Sequence, residues 1–460
     1  MPFRATGRIP SMKKTKRNNP LPQWRQRLVP LALLALLSPA TLAAPDIEAS
    51  LDAVANDVIH WRHDFHQHPE LSNREVRTSG IVAEHLRALG FDEVHTGIAH
   101  TGVIGVLKGG RPGGVVALRA DMDALPVKEQ TGLSYASTAT GEYRGETVPV
   151  MHACGHDAHT AMLMGVASVL ASVREDIPGT ISLIFQPAEE GAPAPEEGGA
   201  RLMVEQGALQ LAQNPTAIFG LHVWPIEAGK LSYRPLGAMA AADVLEITVK
   251  GKQTHGSSPW KGVDPITVAA QIITALQTIP SRQLDVTVAP AVLTIGVING
   301  GLRGNIIPDQ VELVGTIRNF NDDIRVQMMA RIERTATRVA ESAGATAEVR
   351  FADSIPVTYN DPGLVRQMLP TLQRSTTAGV EEHLPIMAYE DFSYFQREIP
   401  GMMFFLGINM EGVAAGEAPS NHSPHFIVND AALTTGVRAL SNLALDYLDT
   451  EATGQTDPGP

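Results

Sequence analysis

One cysteine in 460 residues rules out a disulfide within the chain, so the fold must stand on its own core. Basic residues are also short, 36 Lys and Arg against 49 Asp and Glu, a net charge of −13 that invites neither nucleic acid nor an anionic membrane. Long apolar runs are missing. The clearest one, Leu28 to Leu37, falls well short of the roughly 20 residues that span a bilayer. There is no internal repeat and no long low-complexity tract.

That apolar run follows a stretch with eight Lys or Arg and no acid, and it precedes Ser38-Pro-Ala-Thr-Leu-Ala-Ala44. The pattern predicts a secretory signal peptide over residues 1–44, cut near Ala43 or Ala44, with Met12 as an alternative start. Its removal leaves 28 basic residues against 49 acidic ones, a net charge of −21, and implies an exported, periplasmic or secreted protein with no remaining membrane partner. About 415 residues remain, more than one typical core organises, so two domains are expected.

Helical spacing runs from Ile47 to about Gly90. Short apolar strands then follow at 102–107, 115–119, 181–185 and 218–222, with a helical stretch at 161–173 between them. Such alternation predicts an α/β sheet with functional residues at its strand ends. From about Ala240 the texture changes to strand, helix, two strands, helix and strand, a smaller α+β unit over 240–352. Residues 353–460 return to helix and strand signals and complete the first unit begun at 45–239.

The lone cysteine lies in Met151-His-Ala-Cys-Gly-His-Asp-Ala-His159, far richer in metal-binding side chains than its surroundings. A thiolate and an imidazole two residues apart suit a soft to borderline divalent ion, and Gly155 permits the backbone that converges them. Asp121 and Asp123 end an apolar strand, where Asp123 is placed to orient a ligating imidazole from behind. Glu189 and Glu190 follow the next strand in Phe185-Gln-Pro-Ala-Glu-Glu-Gly191. One carboxylate of such a pair can bind metal while its neighbour takes a proton. His222 closes a further strand, and His422 and His425 lie in a turn-rich loop.

These segments, together with Trp61-Arg-His-Asp-Phe-His-Gln-His-Pro-Glu-Leu71, Arg119-Ala-Asp-Met-Asp-Ala-Leu-Pro126, His255-Gly-Ser-Ser-Pro259, Asn305-Ile-Ile-Pro308 and Glu390-Asp-Phe392, resemble the M20 family of metallopeptidases. The similarity is to its amidohydrolase branch of hippurate hydrolases, N-acyl-amino-acid amidohydrolases and indole-acetyl-amino-acid hydrolases. It covers nearly the whole chain after the leader.

The resemblance implies a catalytic α/β domain with a dinuclear metal site and an inserted α+β lid and dimerisation domain. It implies two divalent ions held by Cys154, His156, Glu190, His222 and His422, with Glu189 as general base and proton shuttle. Mixed sulfur, nitrogen and oxygen ligands leave Mn, Zn, Co and Ni open. Asp121 stays outside the ligand set because branches with a histidine there lack the cysteine. His255 is implied to reach the site of the partner subunit in a homodimer. Arg318, with Asn305 as an added amide donor, is the candidate for the substrate carboxylate that a net-negative protein must attract locally. The expected activity is hydrolysis of N-acyl-amino acids or related small amides. Carboxypeptidase or dipeptidase action on short peptides and periplasmic binding of acyl-amino acids without catalysis are the rivals. Tyr389, Met402, Met403 and Phe405 are candidates for an apolar pocket wall, with a core role favoured for each.

Overall fold

A computed structural model describes residues 45–414 and 416–453, so the expected leader lies outside the described residues. The larger sheet has eight strands, in the order Glu93–Ile98, Gly102–Lys108, Pro178–Gln186, Arg111–Asp121, Ala217–Trp224, Gly401–Gly407, Leu231–Tyr233 and Val380–Glu382. Pro178–Gln186, Arg111–Asp121, Ala217–Trp224 and Gly401–Gly407 run parallel at its centre. They are buried along most of their length and read as near-continuous apolar runs, as strands covered on both faces should.

Helices Glu48–Gln67, Val76–Ala88, His156–Ser172, Pro362–Ser375 and Leu433–Thr453 cover one face, where Leu51, Leu86, Val166, Phe219, Leu372 and Leu443 share a core. Shorter helices at Gly199–Glu205 and Ser393–Glu398 cover the other, around Met203, Phe392, Phe395 and Phe405. Arg111–Asp121 sends its chain through His156–Ser172 to the neighbour on one side, and the next crossover returns to the neighbour on the other. That reversal opens a crevice at the carboxyl ends of the parallel strands, the place where open α/β sheets collect ligands.

The second sheet is antiparallel, in the order Ala291–Asn299, Gln310–Asn319, Ala241–Lys250 and Thr346–Ile355. Helices Pro265–Leu276 and Asp322–Ser342 pack on one face, and Leu245, Ile247, Ile272, Ile317, Met328 and Ile332 form a core of their own. Asp264 and Asn321 start these helices by accepting backbone N–H groups of the first turn. The α/β architecture with an inserted α+β unit is therefore present, the second sheet beginning at Ala241 and ending at Ile355.

Three features depart from the sequence reading. Glu93–Ile98 is a strand, hidden in the sequence because it lies at the sheet edge, half exposed, with polar Glu93, His95 and Thr96. Arg111–Asp121 starts four residues ahead of its apolar run. Met402, Met403 and Phe405 are fully buried as expected, but Tyr389 is half-buried on a cavity wall instead of in the core.

Candidate metal and catalytic site

The cysteine loop is shaped by Gly155, which has φ +97° and starts helix His156–Ser172; a Cβ there would meet Val223 Cγ2 at 2.2 Å. Cys154 and His156 thereby point to one side. Cys154 Sγ lies 3.5 Å from His222 Nε2, and with His156 these atoms make one compact group. Cys154, Glu190 and His422 make a second, with His422 Nε2 2.9 Å from Glu190 Oε1. The thiol is common to both groups. His422 is brought in by a loop stapled to the cysteine loop: its N–H donates to the Ala153 carbonyl at 2.7 Å, and Asn421 Nδ2 donates to the Cys154 carbonyl at 3.1 Å.

The imidazoles are oriented from behind. His222 Nδ1 donates to the Val223 carbonyl at 2.7 Å, which leaves Nε2 with its lone pair toward Cys154. His156 Nδ1 donates to Asp123 Oδ1 at 3.1 Å, and its buried Nε2 has no hydrogen-bond partner. Although burial opposes charge, Asp121 and the Asp123 hydrogen bond hold the His156 ring well above the usual imidazole range. His422 is pushed up to about 10 by its hydrogen bonds to Cys154 and Glu190. The unpartnered Nε2 of His156, converging with the Cys154 thiol and His222, and the Cys154, Glu190 and His422 group beside it make donor sets that fit divalent ions.

The other two histidines of the cluster do different work. His159 accepts the Val223 N–H at 2.8 Å and donates to Asp121 Oδ1 at 2.6 Å, so both ring nitrogens are spent on the fold. Asp121 also takes Arg119 Nη1 at 2.6 Å. His152 is buried, and that burial lowers its ring to about 4.

Asp123 does more than orient His156. Its carboxylate also accepts the N–H groups of Glu189 and Glu190, each at 3.0 Å, and the Ser72 hydroxyl at 2.7 Å. Glu189 is buried, with Oε2 3.9 Å from His156 Nε2. Burial, then Glu390, Glu190 and Asp391, raises its carboxyl well above the ordinary range. Beneath it lies Arg119, fully buried, donating to Gln186 at 2.8 Å, Glu390 at 3.0 Å and Asp391 at 3.2 Å. No local sequence pattern marks Arg119, Glu390 and Asp391 as a charge network, because their partners are up to 272 residues apart.

A cavity of about 430 Å³ opens over these groups. Cys154, Glu189, Glu190, His222 and His422 line it, with Trp224, Met239 and Tyr389 as apolar wall and Arg318 from the second sheet. The Arg318 guanidinium lies 5.6 Å over the Tyr389 ring. His255 and Asn305 are elsewhere: both are exposed, on a short ribbon where His255 pairs with Ile306 and Gly256 N–H donates to the Asn305 carbonyl at 2.8 Å.

The family model described as peptidase family M20/M25/M40 matches residues 117–446. The chain belongs to this family. Similar proteins include thermostable carboxypeptidase 2 of Saccharolobus solfataricus, 40% identical and covering 85% of this chain and 95% of its own length. N-acetylcysteine deacetylase of Bacillus subtilis is 36% identical over 85% of this chain and 97% of its own. Among solved structures, the Bacillus subtilis YxeP protein, a dinuclear metal-binding peptidase of the M20 family, has a TM-score of 0.73 at 34% identity, covering 87% of this chain and 99% of that one. This M20 protein is thus a metal-dependent hydrolase of amide or peptide bonds, and divalent metal ions belong to its site.

Proposed function

We propose that the protein is an exported amidohydrolase that cleaves N-acyl-amino acids or related small amides. The observation that carries the reading is the joining, in one cavity, of the Cys154-centred donor groups, the buried Glu189 and the Arg318 cation. Two divalent ions held by Cys154, His156, Glu190, His222 and His422 would polarise the amide carbonyl and acidify water. Glu189, whose burial beside Glu390, Glu190 and Asp391 makes its carboxylate a stronger proton acceptor, takes the proton of the attacking water and passes it to the departing nitrogen. Arg318, braced on Tyr389, receives the carboxylate of the amino-acid half, while Trp224 and Met239 border the acyl half.

A homodimer through the lid completes the proposal. Val297 and Ile298 are 51% and 56% exposed on Ala291–Asn299, one of the two edge strands of the lid sheet, which supports an edge-to-edge contact. In such a dimer the partner subunit's His255 would supply a donor for the developing oxyanion. The basic, apolar and small-residue pattern of 1–44 supports export, and service as a metal ligand would shield the Cys154 thiol from oxidation outside the cytoplasm.

A second reading is carboxypeptidase action on short peptides, favoured by the 40% identity to a relative so named. Leader-free protein loaded in turn with Mn, Zn, Co or Ni and offered hippurate, other N-acyl-amino acids and dipeptides separates the two. Acyl-amino-acid turnover exceeding dipeptide turnover is expected. Cleavage of dipeptides alone would move the assignment to the peptidase, and no turnover of either substrate class with any metal would overturn both.

A further inference from the structure

Glu189 and Glu190 sit in neither helix nor strand, so something else must hold their backbone. Three successive N–H groups do so: those of Glu189 and Glu190 end on Asp123, and that of Ala188 ends on Glu75 Oε1 at 2.9 Å. Ala188 is buried with φ +53°, a left-handed conformation that a residue bearing a Cβ adopts only under constraint. That turn is what swings the Glu189 N–H back toward Asp123.

Glu75 is fully buried and stands just before helix Val76–Ala88, yet it does not cap that helix. Its Oε1 accepts Asn73 N–H at 3.1 Å as well as Ala188 N–H, and its Oε2 accepts the Thr101 hydroxyl at 2.6 Å. Two groups distant in sequence, Thr101 and Ala188, therefore meet on a carboxylate that Asn73 holds locally, and its strongest local consequence is the strained peptide preceding the base.

We propose that Glu75 is a positioning residue for the reaction: it fixes the Ala188 turn and thereby aims the Glu189 carboxylate. The role rests on Glu189 acting as the base. Misplacing a reacting group by about 1 Å is enough to lose on the order of 100-fold in rate. Glu75→Ala should lower kcat by about 30- to 100-fold while KM stays within about threefold. Glu75→Gln keeps a carbonyl oxygen for Ala188 N–H, and the Thr101 hydroxyl can rotate to accept from the amide, so this variant should recover kcat to within about threefold. Thr101→Val, which removes one donor and little volume, should fall between them.

A second readout needs neither metal nor turnover. In metal-free Glu75→Ala protein, backbone hydrogen exchange should accelerate at residues 188–190 and stay unchanged in the central strands. Wild-type kcat in Glu75→Ala, an equal loss in Glu75→Gln, or acceleration spread over the whole sheet would each overturn the role. If Glu75→Ala does not fold, unchanged kcat and exchange in Thr101→Val would overturn it. Absence of amide hydrolysis by the wild type would instead contradict the proposed activity, with the exchange pattern still deciding what Glu75 holds.

Discussion

Asp123→Asn is a change of one heavy atom at the point where the site is assembled. The native carboxylate is 1% exposed and accepts four donors, Glu189 N–H and His156 Nδ1–H on one oxygen, Glu190 N–H and the Ser72 hydroxyl on the other. An amide offers one accepting oxygen, so its nitrogen must face two of these donors. The Ser72 side is the less costly one, because the hydroxyl can turn to accept. The part-buried Glu190 N–H is then left unpaired, at about 1 kcal/mol, the low end of the cost of an unmet donor. His156 meanwhile exchanges a carboxylate for a neutral oxygen, and losing such support to a metal-binding imidazole weakens metal affinity by about 10- to 100-fold. Calorimetric titration of metal-free protein with Zn or Mn, beside urea unfolding of the same samples, measures both effects. Metal affinity within twofold of wild type at an unchanged urea midpoint would refute the role assigned to Asp123.

Arg119→Met removes the guanidinium that Asp121, Glu390 and Asp391 share, and should destabilise the protein by about 3–5 kcal/mol in urea. Burial raises Asp391 to about 8 even against Arg119, so the deficit should be smaller below about pH 8, where this carboxyl holds its proton with or without the guanidinium, and widen as pH rises above it; a loss under about 1 kcal/mol would contradict this. His66 is buried, and although burial lowers its ring, hydrogen bonds to Asp157 and Glu129 raise it above 6.5 overall. Its contribution to stability is therefore complete below about pH 6.5 and is lost as pH rises through the higher folded value. Urea midpoints from pH 5.5 to 8.5 should decline less in His66→Gln than in wild type, and an identical slope would count against the pairing. Arg318→Ala should raise KM about tenfold or more for free N-acyl-amino acids and change it little for their amidated forms; equal effects on both would remove the carboxylate role.

Much of the site was legible because it is concentrated where strands end. Cys154 and His156 stand out by local density, and the apolar runs before Asp121, Glu189 and His222 mark three ends that meet in one crevice. What was not legible depends on contacts that no local pattern carries. Glu75 looks like an ordinary helix-start acid until Ala188, 113 residues on, is found bonded to it. His159 matches its neighbours as a metal ligand by residue type, and only the Val223 N–H on its ring shows it otherwise occupied. Tyr389 reads as core because nothing in the sequence brings Arg318 over its face.

The account turns on Glu189 as the proton carrier of a metal-dependent hydrolysis. Glu189→Gln protein, assayed for N-acyl-amino-acid hydrolysis with its metal content determined on the same sample, tests this most directly. Two bound ions per chain with kcat lowered by about 10²- to 10⁴-fold is the expected result. Turnover like that of the wild type at the same metal content would contradict it.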